Sequence, residues 1–290
     1  TYCDGLVKVI GEDGRIRSTL NQTETRTGRI SSTEPNLQDI PVRSPLGREM
    51  RKFFVARDGY VLVDADYSQI ELRVLAHISG DRNMIKAFND NTDIHTVTAS
   101  EVFDMPPQLV TPIMRSRAKA VNFGIVYGIG AFSLAKDIGV SRSEADEYIK
   151  GYLRHYSGVD KYMHDVVEKA KKDGYAETMF ARRRYLPELT ASNANTRAFG
   201  ERVARNMPIQ GTAADIIKIA MIRVYERLER ENLAAKLIMQ VHDELIVEAP
   251  ENEKEHVSAL LKEEMENAVK LSVALTADVH SGRTWYDAKG

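Results

Sequence analysis

The chain has 290 residues, 40 lysines and arginines against 42 aspartates and glutamates, and is 43% hydrophobic. That length fits one or two domains with a buried core. The formal charge of -2 argues against a protein that holds nucleic acid through its global field, while leaving local basic surfaces open. No apolar run is long enough for a membrane-spanning helix. The single cysteine, Cys3, excludes an internal disulfide framework and fits a reducing compartment. The sequence starts at Thr1 with no basic-then-apolar leader, so it is expected to lack a signal peptide and to be a processed product or a fragment.

The first 57 residues are rich in turn formers and irregular in periodicity. From Arg15 to Arg57, nine basic residues (Arg15, Arg17, Arg26, Arg29, Arg43, Arg48, Arg51, Lys52, Arg57) face four acids (Glu24, Glu34, Asp39, Glu49). A Ser/Thr/Asn/Gln-rich loop with that surplus of five suits a phosphate backbone, and suits a solvated surface loop equally well. Tyr60 to Asp66 is an apolar run ending in carboxylates and predicts a buried strand. Tyr67 to Ile78 switches to helical spacing. The segment 84–174 predicts helices broken at Pro106-Pro107, Gly128, Gly139 and Gly158. A basic, aromatic turn is expected between Arg182 and Pro187, then a long helix from about Asn195 to Asn232.

Lys236–Val241 and Glu244–Glu248 are strand-like runs separated by His242-Asp243, the spacing of a β-hairpin with a two-residue turn. An amphipathic helix follows, carrying Val257, Leu260, Leu261, Met265 and Ala268 on one face. Leu271 to Val279 predicts a last strand. Strands near both ends and helices between them make an α+β protein whose sheet domain is discontinuous in sequence.

Asp66 closes one strand and Asp243 sits in the hairpin turn. Neighbouring strands lie about 4.8 Å apart, so the two carboxylates converge if their strands are adjacent. Two carboxylates suit Mg²⁺, which takes few protein ligands and leaves the rest to water and phosphate oxygens. Helix capping and turn chemistry account for either aspartate alone. In Thr111–Gly130, Thr111 fits an N-cap, Pro112 the first helical position and Gly128 the end. At about 100° per residue, Arg115, Lys119, Phe123 and Tyr127 share one face, while Met114, Ala118, Val121 and Ile125 share the opposite one. Cations near a helix N-terminus oppose its dipole, which makes sense if a polyphosphate visits, although a solvated face with two aromatics reads the same way. Arg202, Asn206 and Gln210 form a row on one helix face, either a minor-groove contact or a polar rim. His242 beside Asp243 has no G-x-S-x-G partner. No P-loop, no G-x-G-x-x-G after a strand and no H-E-x-x-H is present.

Five blocks in order resemble the polymerase domain of family A DNA polymerases, the bacterial DNA polymerase I type. Asp66-Tyr67-Ser68-Gln69-Ile70-Glu71-Leu72-Arg73 resembles motif A. Arg115 through Gly128, as R-x-x-x-K-x-x-x-F-G-x-x-Y-G, resembles motif B, and Gln240-Val241-His242-Asp243-Glu244 resembles motif C. Thr27-Gly28-Arg29 with Pro35-Asn36-Leu37-Gln38 resembles the family's DNA-contacting segment, and Gln210–Asp215 is a further block.

The resemblance implies a right hand with an antiparallel palm sheet in residues 1–84 and 196–290, helical fingers in 85–195, and no thumb. It implies template-directed DNA synthesis, with Asp66, Asp243 and the Tyr67 carbonyl holding two Mg²⁺ ions and Glu244 in support. Arg115 and Lys119 would grip the triphosphate, Lys119 also donating a proton to pyrophosphate. Gln69 and His95 would lie near the nucleotide, Phe123 on its sugar and Tyr127 near the template base. Glu71 would exclude a ribose hydroxyl. Arg29, Asn36, Gln38, Arg202, Asn206, Gln210 and His242 would contact primer–template DNA. The implied partners are DNA and dNTPs, without a membrane, for a monomer in the cytoplasm at the bacterial nucleoid. Ala181 departs from the family's usual glycine, a change expected to be local. A related single-subunit RNA polymerase is opposed by Glu71; a fragment that binds DNA without turnover is the other alternative.

Overall fold

The computed structural model describes residues 2–40 and 45–290, so Arg43 of the basic stretch lies outside the described residues. In chain order the strands are β1 (Thr19–Asn21), β2 (Ser31–Thr33), β3 (Tyr60–Tyr67), β4 (Tyr175–Glu177), β5 (Arg183–Tyr185), β6 (Lys236–Val241), β7 (Glu244–Pro250) and β8 (Ala277–Gly282). The helices are α1 (Tyr2–Val7), α2 (Pro45–Glu49), α3 (Ile70–Ser79), α4 (Arg82–Asn89), α5 (Ile94–Val102), α6 (Pro112–Val126), α7 (Ala131–Ile138), α8 (Arg142–His155), α9 (Ser157–Asp173), α10 (Ala194–Arg230), α11 (Lys254–Glu266) and α12 (Trp285–Ala288). The chain divides into two compact units, one of 1–68, 214–269 and 275–290, the other of 69–213 and 270–274. These differ from the expected cuts after 84 and 195. Helix α3 follows β3 after a short turn but buries Leu72, Val74 and Leu75 within the second unit.

The first unit is built on an antiparallel sheet of order β6-β7-β3-β8. A strand with neighbours on both sides and apolar layers on its faces loses the in-out alternation of an edge strand. Leu62, Val63, Asp64 and Ala65 are accordingly all buried in β3, as are Leu245, Ile246 and Val247 in β7. The predicted hairpin is observed, with Val241 opposite Glu244 and the register interrupted between Leu237 and Met239. One side of the sheet packs Leu37, Ile40, Ala56, Leu62 and Ile246 with Trp285. Helix α11 buries Val257, Leu260, Leu261 and Met265 as expected, and the Tyr67 hydroxyl donates to the Met265 carbonyl at 2.6 Å. The last strand begins at Ala277, not Leu271. Residues 270–274 belong to the second unit, where Arg73 and His77 bond the Ala274 carbonyl and Ser272.

The second unit is helical apart from the hairpin β4–β5. Its helices start where short polar side chains can take an otherwise unpaired N–H. Asp81, Thr111 and Ser141 accept from the amides of Met84, Met114 and Glu144, and Ser141 with Glu144 completes a capping box. Pro112 occupies the first turn of α6 as predicted. Gly158 does not break a helix: the break falls at Tyr156, and Gly158 lies inside α9. A Cβ there would meet the Asp81 Cα at 2.8 Å, and the Gly158 amide donates to Asp81 Oδ2 at 2.8 Å. The expected turn at 182–187 is instead the strand β5, pairing Arg183 with Glu177 and Tyr185 with Tyr175.

Candidate active site

The carboxylates lie on the sheet of the first unit. Asp66 pairs in register with Glu244, and Tyr67 N–H donates to the Asp243 carbonyl at 3.1 Å. The condition set by the sequence, adjacency of the two strands, is therefore met, because β3 lies beside β7. Asp243 is partly buried and Glu244 is buried. Both Glu244 oxygens are occupied: Trp285 Nε1 donates to Oε1 at 2.8 Å and Lys289 Nζ to Oε2 at 2.6 Å. Lys289 also reaches Asp66 Oδ2 at 2.8 Å and lies 3.9 Å from Asp64 Oδ1.

These charges divide the protons among the acids. Burial, then the Glu244 charge, pushes the Asp64 carboxyl well above the usual carboxylate range. Burial also acts to raise Glu244, but its bond with Asp64 and the Lys289 charge outweigh that and hold it below its ordinary value. Burial pulls Lys289 down, while Glu244, Asp64 and Asp66 more than compensate. Among the described residues no group of three or more Asp, Glu, His or Cys side chains is gathered as a metal site.

The same unit brings several expected DNA-contacting residues close to the hairpin. Arg29 and His242 line one small pocket with Lys218, Met221 and Gln240. Gln38 Nε2 donates to the Gln240 carbonyl at 3.1 Å, and Gln240 Nε2 to the His242 carbonyl at 2.5 Å. His242 itself sits at φ 51, a left-handed conformation uncommon for non-glycine residues though less so for histidine. Asn36 donates to Asp39 and accepts from the Gln38 amide within its own turn. Much of the basic surplus nearby is already paired: Arg15 and Arg57 on Glu248, Arg17 on Asp13, Lys52 on Glu49.

The second unit holds the helix-face row. Ala118, Val121 and Ile125 of α6 are buried, while Arg115, Lys119 and Tyr127 are exposed and Phe123 is half-buried, the two faces predicted from spacing. Arg115 is clasped by Asp93, with Nε to Oδ2 at 2.5 Å and Nη2 to Oδ1 at 3.2 Å. The Tyr127 hydroxyl donates to Glu71 Oε2 at 3.1 Å, joining the C-cap of α6 to the first turn of α3. Gln69 precedes α3 at φ 55. His95 is buried, its ring centroid 5.8 Å from Phe123, and its Nδ1 faces the Asn122 amide at 3.1 Å. Burial, reinforced by Arg115 and Lys119 and opposed by Asp93, lowers its pKa to about 4.

Within the row on α10, Arg202 is exposed and packs its Cγ beneath Gly128. The Asn206 amide donates to the last α6 carbonyl, Val126, at 3.2 Å, and Gln210 is half-buried. Spacing alone did not single out Asp93, Asn122, Asp64, Gln240, Trp285 or Lys289. Asp93 had one legible signal, its place as an N-cap two residues before His95; Lys289, 45 residues from Glu244, had none.

The sequence matches DNA polymerase family A over residues 1–287. It is 52% identical to DNA polymerase I of Caldicellulosiruptor bescii, over all of this chain and 34% of that protein. It is 53% identical to DNA polymerase I of Bacillus caldotenax, over all of this chain and 33% of that one. Its fold is similar to the POL domain of Pol1 from M. smegmatis in complex with DNA primer-template and dNTP, with TM-score 0.95 and 47% identity over 99% of this chain and 51% of that chain. The chain belongs to DNA polymerase family A, whose members generally use divalent metal ions. It spans about a third of the length of the curated relatives it matches. Among the described residues no helix is long and apolar enough to cross a membrane.

Proposed function

We propose that this chain carries out template-directed DNA synthesis, extending a primer 3′-hydroxyl with dNTPs on a primer–template, as a monomer in the cytoplasm. The observation that carries this reading is the register of Asp66 on Glu244 with Asp243 in the adjoining turn, in a member of family A. On this reading the palm comprises 1–84 and 196–290 and the fingers 85–195, the fingers presenting the Arg115 row.

The donor chemistry fits Mg²⁺. Asp66 and Asp243 are oxygen donors not fully buried, and the Lys289 ammonium already rests on Asp66, a place where a cation is favoured. Asp66, Asp243 and the Tyr67 carbonyl would hold two ions, which when bound lower the pKa of the 3′-hydroxyl and neutralise the triphosphate. In the reaction a bond forms between the primer 3′-oxygen and the α-phosphorus, the bond from the α-phosphorus to the bridging oxygen breaks, and pyrophosphate leaves. Arg115 and Lys119 bind the triphosphate oxygens, and Lys119 supplies a proton to the leaving group. Gln69, His95 and Phe123 flank the nucleotide. Arg29, Asn36, Gln38, Arg202, Asn206, Gln210 and His242 hold the DNA.

Glu71 is the sugar gate. It is buried and its Oε2 is engaged by Tyr127, which fixes the side chain and favours the DNA reading over a single-subunit RNA polymerase. The test is extension of a labelled primer–template with Mg²⁺ and four dNTPs, beside Asp66→Ala, with ATP against dATP as a second arm. Extension lost in the variant and selective for dATP is expected. Equal extension by both proteins overturns the acidic site, equal use of ATP overturns the gate, and duplex binding without product supports a non-catalytic fragment.

A further inference from the structure

Arg115 carries five N–H donors in a planar fork. Asp93 takes two of them, Nε–H and one from Nη2, along one edge of the guanidinium. The other donors lie on the remaining edges. A guanidinium held by one edge and open at another is shaped for two-point contact with a phosphate oxygen pair.

Asp93 is itself held. It is the N-cap of α5, where Oδ1 accepts from the His95 amide at 3.2 Å and Oδ2 accepts from the Thr96 hydroxyl at 2.6 Å. Burial raises its pKa, but Arg115, Thr96 and the His95 amide outweigh that and hold it at about 2. It is therefore an anion throughout the neutral range. The ion pair is substantially exposed on both partners, 46% and 35%, and exposed pairs of this kind stabilise a fold by little. What the clasp does is geometric. Arg115 is a long side chain near the start of α6, and freezing an unrestrained arginine costs rotamer entropy.

We propose that Asp93 is a positioning residue for nucleotide binding: it holds Arg115 by one edge, so that the guanidinium meets the triphosphate already oriented. The same carboxylate accepts from the His95 amide, so one N-cap holds both the guanidinium and the start of α5. The inference rests on the reading of Arg115 as a triphosphate ligand, and it adds the residue that aims it.

Asp93→Asn separates this role from capping, because asparagine caps helices about as well as aspartate but loses the charge and one of the two acceptors. In the full chain, steady-state kinetics are measured for Asp93→Asn, Arg115→Ala and the double variant, with thermal melting of each. The expected result is a KM for dNTP raised about five- to tenfold by Asp93→Asn, a smaller change in kcat, weaker inhibition by pyrophosphate and an unchanged melting temperature. In the Arg115→Ala background the same substitution is expected to add nothing further to KM. An unchanged KM in Asp93→Asn overturns the proposal, and a lowered KM does so by making Asp93 a competitor of the triphosphate. A full effect persisting without Arg115 overturns it in favour of action through the α5 cap. If Arg115→Ala alone leaves KM unaltered, the reading of Arg115 falls and takes this inference with it.

Discussion

The Lys289 ammonium lies 2.6 Å from Glu244 Oε2, across 45 residues of sequence, and the same nitrogen reaches Asp66. Glu244 is thereby satisfied on both oxygens by protein donors, Lys289 and Trp285, which fits a supporting role beside the more accessible Asp66 and Asp243. Removing the lysine leaves three neighbouring carboxyl groups, Asp64, Asp66 and Glu244, without their cation. Lys289→Met is expected to destabilise the chain by about 1–3 kcal/mol, less than for a fully buried pair because the lysine is about a third exposed. Urea unfolding at pH 7 reads this, and a midpoint equal to that of the parent would show that the ammonium contributes nothing.

His95 gives the pH dependence. Its folded pKa, near 4, lies below the ordinary histidine value of about 6.5. A depressed pKa contributes stability that is complete above the unfolded value and is lost as pH falls through the folded one. Stability is therefore expected to drop between pH 6.5 and 4 by at most about 3 kcal/mol from this group. The difference in unfolding free energy between the parent and His95→Gln should shrink across that window. A difference constant with pH would mean that His95 is not held neutral by the fold.

Ala181 sits at φ 62, between Thr178, whose carbonyl accepts its amide, and β5. Alanine in the left-handed region is strained by about 1 kcal/mol. Ala181→Gly is expected to raise stability by about 0.5–1 kcal/mol despite the greater freedom of glycine in the unfolded chain. Thermal melting measures it, and a lowered melting temperature would contradict the argument.

Gly158 provides the opposite case. Its Cβ position is occupied by the Asp81 backbone, which cannot move away as a flexible side-chain tip can. Gly158→Ala is expected to cost about 1–3 kcal/mol through overpacking, outweighing the better helix propensity of alanine. Chemical denaturation should show the loss, and a stabilised variant would mean that α9 shifts freely against the start of α4.

Features with local or periodic causes were legible in the order of the residues. The apolar run of β3 and the two-residue spacing of the β6–β7 turn predict strands because side chains alternate or bury within a few residues of one another. The Thr111 cap, Pro112 and the opposed faces of α6 are likewise written into the single stretch 111–127, and the order of the five blocks identified the family. The pairs that join distant positions came only from packing: Lys289 with Glu244, Asp93 with Arg115, Asn206 with the end of α6, and Asp81 with Gly158. It also corrected the reading of Gly158 as a breaker and moved the last strand to Ala277, since 270–274 are held by Arg73 and His77 of α3. Such contacts have no period and no neighbouring residue to announce them. They arise only when helices and strands, each legible alone, are packed so that a charge or a missing Cβ on one meets its counterpart on another.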